Sequence, residues 1–180
     1  GIGGISMSGL AEILLERGFT VSGSDAHESE LTKLLERNGA QVFYGQKAEN
    51  IIEGIDVVVY TAAIHPDNPE YMAAEAKGIP MLYRADFLGQ IMRNYKNSIA
   101  VAGTHGKTTT TSAITQMLLV NNQDPTAVIG GRLPMINANG IAGNSEFMVC
   151  ESCEFVDTFL ELSPDMAVLL NIDNDHLDYF

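Results

Sequence analysis

Ala102 Gly103 Thr104 His105 Gly106 Lys107 Thr108 Thr109 Thr110 lies between an apolar run, Ser98 to Ala102, and a helical pattern from Thr108 to Leu119. Strand, glycine-bearing loop and helix in that order predict a phosphate-binding loop. Its glycines let successive N–H groups converge on phosphate oxygens, and the start of the helix adds partial positive charge at the same place. Gly103, Thr104, His105, Gly106, Lys107, Thr108 and Thr109 would then surround the phosphates of a nucleotide. Lys107 would bridge the terminal phosphates, and Thr108 would offer its hydroxyl to an accompanying Mg²⁺ ion. The common spacing GxxxxGK[ST] asks for a glycine at position 101, where this chain has Val101, so the loop is a shortened variant.

Upstream of this loop, apolar residues alternate between helical and strand spacing. Leu10, Ile13 and Leu14 predict a helix from Met7 to Arg17, ended by Gly18; Phe19 to Gly23 reads as a strand; Ser29 to Asn38 as a helix; Gln41 to Phe43 as a strand. Val57, Val58 and Val59 run without polar alternation, which suits a parallel strand over Asp56 to Tyr60 covered on both faces. A helix over Asn68 to Lys77 with Pro69 in its first turn, a strand over Pro80 to Tyr83 and a helix over Ala85 to Asn94 complete the first half. The pattern is α/β, and the first half is expected to form a doubly wound sheet. The polar stretch Asn94 to Asn97 divides a first domain, residues 1–95, from a second, residues 96–180. In the second, Ala127 to Gly130, Phe147 to Cys150 and Ala167 to Ile172 read as strands, and Gly131 to Asn144 form a Gly- and Asn-rich stretch. The chain opens on a glycine loop without an initiator Met and stops at Phe180, so it is expected to be an excised piece.

Of the 180 residues, 46% are hydrophobic, enough for a packed core. A formal charge of -13 argues against nucleic acid and anionic membrane surfaces as partners, so a polyanionic ligand needs locally placed cations. No apolar run approaches the ~20 residues that cross a bilayer. Two cysteines, Cys150 and Cys153, make neither a disulfide framework nor a four-ligand zinc site, which predicts a reduced, cytoplasmic chain. Their CxxC spacing closes a strand instead of opening a helix and is read as packing.

Further candidate residues follow predicted strands, where ligands gather in open parallel sheets. Glu151 follows Phe147 to Cys150, and His176 follows Ala167 to Ile172 through Asp173 Asn174 Asp175. A carboxylate and an imidazole there suit Mg²⁺ or Mn²⁺ beside phosphates. At the opening, Gly1 Ile2 Gly3 Gly4 Ile5 Ser6, with Asp25 ending the next strand, is similar to a dinucleotide fingerprint whose third glycine is replaced. A pyrophosphate at the helix N-terminus and a ribose near Asp25 would fit any nucleotide diphosphate, nucleotide sugars included. Thr61 Ala62 Ala63 Ile64 His65 and Arg84 also follow strands, and a guanidinium suits a phosphate-bearing substrate.

Taken in order, Gly1 to Gly9, Ser22 Gly23 Ser24 Asp25, Thr61 to Ile64 with Asp67 Asn68 Pro69 Glu70, Arg84 Ala85 Asp86, the Gly103 to Thr110 loop, Glu151 Ser152 Cys153 Glu154, and Asn171 with Asp175 His176 closely resemble the Mur ligase family. The resemblance implies an N-terminal Rossmann-like domain without its opening strand, followed by a truncated phosphate-loop-type central domain. It implies ATP on Lys107 and Thr108, metal on Thr108, Glu151 and His176, and catalytic roles for Lys107, Glu151 and His176. Gly3, Gly4, Ser24, Asp25, Ala63 and Arg84 would face a UDP sugar. Cys153 stands where many members carry Asp, while Glu151, which the metal role needs, is present. The implied reaction joins L-alanine to the carboxylate of UDP-N-acetylmuramate through an acyl phosphate, in peptidoglycan precursor synthesis, with the fragment inactive alone. A nucleotide-binding module without catalysis, a ligase that attaches a recycled peptide to the same sugar, and an NAD-dependent dehydrogenase are the alternatives; the last leaves the Lys107 loop unexplained.

Overall fold

A computed structural model describes residues 1–153 and 159–174. In chain order the elements are α1 (Ile5–Glu16), β1 (Ser22–Asp25), α2 (Glu30–Arg37), β2 (Gln41–Tyr44), a 3-10 turn (Ala48–Asn50), β3 (Val58–Tyr60), α3 (Pro69–Ala76), β4 (Met81–Tyr83), α4 (Arg84–Met92), β5 (Asn97–Ala102), α5 (Lys107–Val120), β6 (Thr126–Leu133), β7 (Ala138–Ile141), β8 (Phe147–Glu151) and β9 (Met166–Leu169). Local chemistry sets several ends. Ser29 and Thr32 form a reciprocal capping box at the start of α2, and the Asn68 side chain accepts from Glu70 N and Tyr71 N at the start of α3, with Pro69 in the first turn.

The first half departs from the single sheet expected. β1 pairs with β2 and β3 with β4, both parallel, as two separate two-stranded sheets. Between them lies a cavity of about 1300 Å³, lined on one side by Val21 to Ser24 and on the other by Val57 to Thr61. No hydrogen bond of either ladder bridges it.

The second half forms one five-stranded sheet in the order β7-β6-β8-β5-β9, parallel except where β7 runs antiparallel to β6. Alternation along β6 and β8 sends side chains to opposite faces. Ala127, Ile129 and Val149 pack with Ile114 and Leu118 of α5, whereas Val128, Met148 and Cys150 pack with Leu10 and Ile13 of α1 and Leu88 and Met92 of α4. Helices of the first half therefore cover one face of the second half's sheet. The opposite side of α1 packs through Ala11 with Ile2, Leu35 and Ala40, which buries residues Ser8 to Ile13 without interruption.

β7 lies in the Gly- and Asn-rich stretch, where the sequence signals no strand. Its outward amides are held by α1. Gly140 N donates to Glu12 Oε2 at 2.9 Å and Ala142 N to Glu16 Oε2 at 2.5 Å. Four residues of helix rise about 6 Å and two residues of strand about 7 Å, so carboxylates at i and i+4 match alternate amides of an extended edge. Gly9 lets the backbones meet, because a Cβ there would lie 3.1 Å from Asn139 O. The Asn139 amide donates to Ile5 O and, at 3.0 Å, to Ser8 Oγ. Arg17 adds hydrogen bonds to Gly143 O at 2.5 Å and Tyr95 Oη at 3.1 Å. Burial pushes the Glu12 carboxyl up to about 7, with the Glu16 charge adding to the effect against the lowering by the Gly140 amide.

Candidate functional site

The loop between β5 and α5 turns on two glycines in the left-handed region, Gly103 at φ 136° and Gly106 at φ 86°. Gly106 is the N-cap of α5, and the first turn of the helix contains no acidic residue, so the positive end of its dipole is not offset from within. Lys107 Nζ is folded over the loop, donating to Gly103 O at 2.6 Å and Thr104 O at 3.2 Å. Thr108, one residue on, donates its hydroxyl to Glu151 Oε2 at 3.2 Å. The other oxygen of Glu151 accepts from Gly130 N at 2.6 Å. A Cβ at Gly130 would come within 2.8 Å of the Glu151 carboxyl carbon, so the close approach requires glycine. Glu151 ends β8, β8 neighbours β5, and Val101 of β5 pairs with it. The parallel register is what brings the carboxylate beside the loop.

Lys107, Thr108 and Glu151 therefore meet at one sheet mouth, as expected; His176 lies outside the described residues. Among the described residues no group of three or more His, Cys, Asp and Glu side chains is placed to hold a metal. The donor set nonetheless fits a hard divalent cation. Thr108 Oγ1 and Glu151 Oε2 are adjacent oxygens at the helix start, and Mg²⁺ ordinarily takes only one or two protein ligands, completing its shell with water and phosphate oxygens.

A cavity of about 590 Å³ collects most of the residues expected around a sugar nucleotide. Gly3, Gly4, Asp25, Ala63 and Arg84 line it, together with His27 and Cys153. Asp25 is committed to the loop as well: Oδ2 accepts from Gly3 N at 2.8 Å and Oδ1 from His27 N at 3.4 Å, so the carboxylate shapes the glycine turn. Ser24 is not among the lining residues. Side chains alternate along β1, and its hydroxyl turns the other way to donate to Glu70 Oε2 at 2.6 Å. His27 was missed in the sequence; its only signal was a position two residues beyond the end of β1. Cys153 reaches this cavity from beyond β8, two residues after Glu151, which sets the sugar-nucleotide candidates near the phosphate-loop candidates. Cys150, fully buried in the sheet, has its thiol pushed up to about 12 by burial and the neighbouring Glu151 charge, which suits packing and not thiol chemistry.

The architecture is that of a Rossmann-like α/β unit leading into a phosphate-loop-type α/β unit. A family model described as the Mur ligase family catalytic domain matches residues 1–96, and one described as the Mur ligase middle domain matches residues 101–180. The chain belongs to the Mur ligase family. It is 61% identical over 180 residues to the UDP-N-acetylmuramate–L-alanine ligase of Agathobacter rectalis and 56% identical to that of Lachnospira eligens. All of this chain is covered, and it spans 39% of the length of each of those relatives. Among solved structures it is similar to the UDP-N-acetylmuramate-alanine ligase of Thermotoga maritima, with TM-score 0.92, 34% identity, and coverage of 99% of this chain and 42% of that one. It also resembles the UDP-N-acetylmuramate:L-alanyl-gamma-D-glutamyl-meso-diaminopimelate ligase of Neisseria meningitides, with TM-score 0.89, 31% identity, and coverage of 100% and 61%.

Proposed function

We propose that this chain is the nucleotide-handling part of an ATP-dependent ligase that joins L-alanine to UDP-N-acetylmuramate in the cytoplasm, in peptidoglycan precursor synthesis. Residues 1–95 hold the UDP sugar, and residues 96–180 hold the triphosphate with Mg²⁺ or Mn²⁺. The observation that carries this reading is the convergence of Lys107, Thr108 and Glu151 beside a cavity that Arg84 and Cys153 both line. Relatives 52–61% identical over the whole chain carry the name UDP-N-acetylmuramate–L-alanine ligase, which favours L-alanine over a recycled peptide as the second substrate.

In the proposed reaction a carboxylate oxygen of the muramate attacks the γ-phosphorus, and the bond to the bridging oxygen breaks to release ADP. The L-alanine amine then adds to the carbonyl carbon of the acyl phosphate, loses a proton, and inorganic phosphate leaves as the amide forms. An anionic nucleophile must approach a triphosphate, so positioning and charge stabilisation dominate the catalytic demand. Lys107 Nζ exchanges its two loop carbonyls for phosphate oxygens, and the start of α5 directs main-chain amides at the same group. Thr108 and Glu151 supply oxygen ligands for the divalent ion, with His176 the further ligand that the family resemblance implies. That ion, when bound, neutralises charge on the phosphates. Arg84, at the start of α4, grips the diphosphate of the UDP sugar from across the cavity.

The test is equilibrium dialysis of the 180-residue chain against radiolabelled UDP-N-acetylmuramate, with Arg84→Ala alongside. Retention by the unsubstituted chain and loss by the variant is expected, with no product when ATP and L-alanine are added. Failure of the unsubstituted chain to retain the sugar nucleotide would refute the assignment of the first unit.

A further inference from the structure

The loop between β5 and α5 is braced by the segment after β9. Pairing of β5 with β9 continues past both strands: Leu170 N donates to Ala102 O at 3.0 Å, and Thr104 N to Asn171 O at 3.3 Å. There the Asn171 side chain reaches the loop backbone. Its Oδ1 accepts from His105 N at 2.9 Å and its Nδ2 donates to His105 O at 2.9 Å, so one amide holds both polar groups of one residue. Next to it, Asp173 N donates to Thr104 Oγ1 at 2.9 Å, and Thr104 Oγ1 lies 3.2 Å from Asp173 O. Gly103 makes the approach feasible, because a Cβ there would sit 3.1 Å from Asn171 N and O and from Leu170 Cβ.

In a trans peptide the carbonyl of one residue and the N–H of the next point in opposite directions. Anchoring His105 O on Asn171 therefore turns Gly106 N–H away from Asn171. Gly106 is the N-cap of α5, so the peptide fixed in this way is the one that opens the helix's set of unpaired amides. We propose that Asn171 is the positioning residue of the phosphate loop, its side-chain amide presetting the His105–Gly106 peptide so that the loop's amides are aligned before a nucleotide arrives. This deepens the reading of residues 103–109 as the triphosphate site and rests on it. Asn171 touches no phosphate in this role; it acts through the main chain of His105.

The test is a titration of the 180-residue chain with ATP and MgCl2, read by a fluorescent ATP analogue and its displacement, for the unsubstituted chain, Asn171→Ala and Asn171→Asp. The aspartate is isosteric and still accepts from His105 N–H, but it sets a second acceptor against His105 O. Loss of both hydrogen bonds in Asn171→Ala, and of one in Asn171→Asp with an acceptor then set against His105 O, weakens ATP on the order of tenfold in each variant, with the ligand-free melting temperature of Asn171→Asp close to that of the unsubstituted chain. Equal ATP affinity in the unsubstituted chain and folded variants overturns the proposal and leaves the loop assignment standing. Absence of binding by the unsubstituted chain overturns the loop assignment, and the proposal with it. A measurement without any variant serves if neither folds: the His105 amide should exchange slowly with solvent in the nucleotide-free chain, and fast exchange there overturns the proposal.

Discussion

Glu12→Gln should remove a pH dependence of stability that the seam between α1 and β7 builds in. The Glu12 side chain is 3% exposed, and its carboxyl is raised from 4.5 to about 7. A carboxyl raised on folding favours the folded state fully below its unfolded value, and the advantage is lost as pH rises through the folded value. At 1.36 kcal/mol per unit, the shift makes the folded chain about 3 kcal/mol less stable well above pH 7 than below pH 4.5, and about 2 kcal/mol of that falls between about pH 5.5 and pH 8. Glutamine keeps an oxygen that can accept from Gly140 N without a charge to desolvate. Urea denaturation followed by far-ultraviolet circular dichroism gives the stability of both proteins at the two pH values. Near pH 5.5 the glutamine variant should exceed the parent by about 1 kcal/mol and near pH 8 by about 3 kcal/mol; the widening of about 2 kcal/mol is equivalent to about 4–8 °C in melting temperature for a chain of this size. Every other titrating group is common to both, so their difference isolates Glu12. A difference that stays constant across the range would refute the argument that Glu12 is buried against β7 and destabilised by its charge.

Gly140→Ala should destabilise the chain by about 1–3 kcal/mol in the same assay, because the new Cβ would sit 2.8 Å from Gly9 Cα where helix and strand backbones meet. Met92→Ala, at a fully buried position where α4 meets the sheet, should cost about 2–5 kcal/mol by loss of packing and the cavity left behind. Gly130→Ala should displace the Glu151 carboxylate, lowering the affinity of Mn²⁺ for the ATP-loaded chain by about tenfold in an electron paramagnetic resonance titration while metal-free ATP binding stays within about twofold.

Much of this molecule was legible in its sequence because the signals were local. The Gly103 to Thr110 loop announced itself through strand, glycines, lysine and helix within a short span, and Asn68–Pro69 and Ser29–Thr32 carried their own helix starts. The features that escaped depend on residues far apart in the chain. Ala138 Asn139 Gly140 Ile141 has little intrinsic strand preference and forms β7 because β6 pairs with one edge and Glu12 and Glu16 receive amides from the other. The turn of Ser24 toward Glu70, away from the smaller cavity, depends on a contact with α3 across 46 residues that apolar periodicity does not encode. Asn171 could be noticed only as part of a family pattern; what it touches depends on the pairing of β5 with β9.

Isothermal calorimetry of ATP with Mg²⁺ on the 180-residue chain and on Lys107→Ala tests the central claim most directly, since that claim places a triphosphate over the Gly106 turn with Lys107 as its cation. Measurable heat from the parent, and loss of at least about tenfold in affinity from the variant, is the predicted result. Equal heats from the two proteins, or none from the parent, would contradict it.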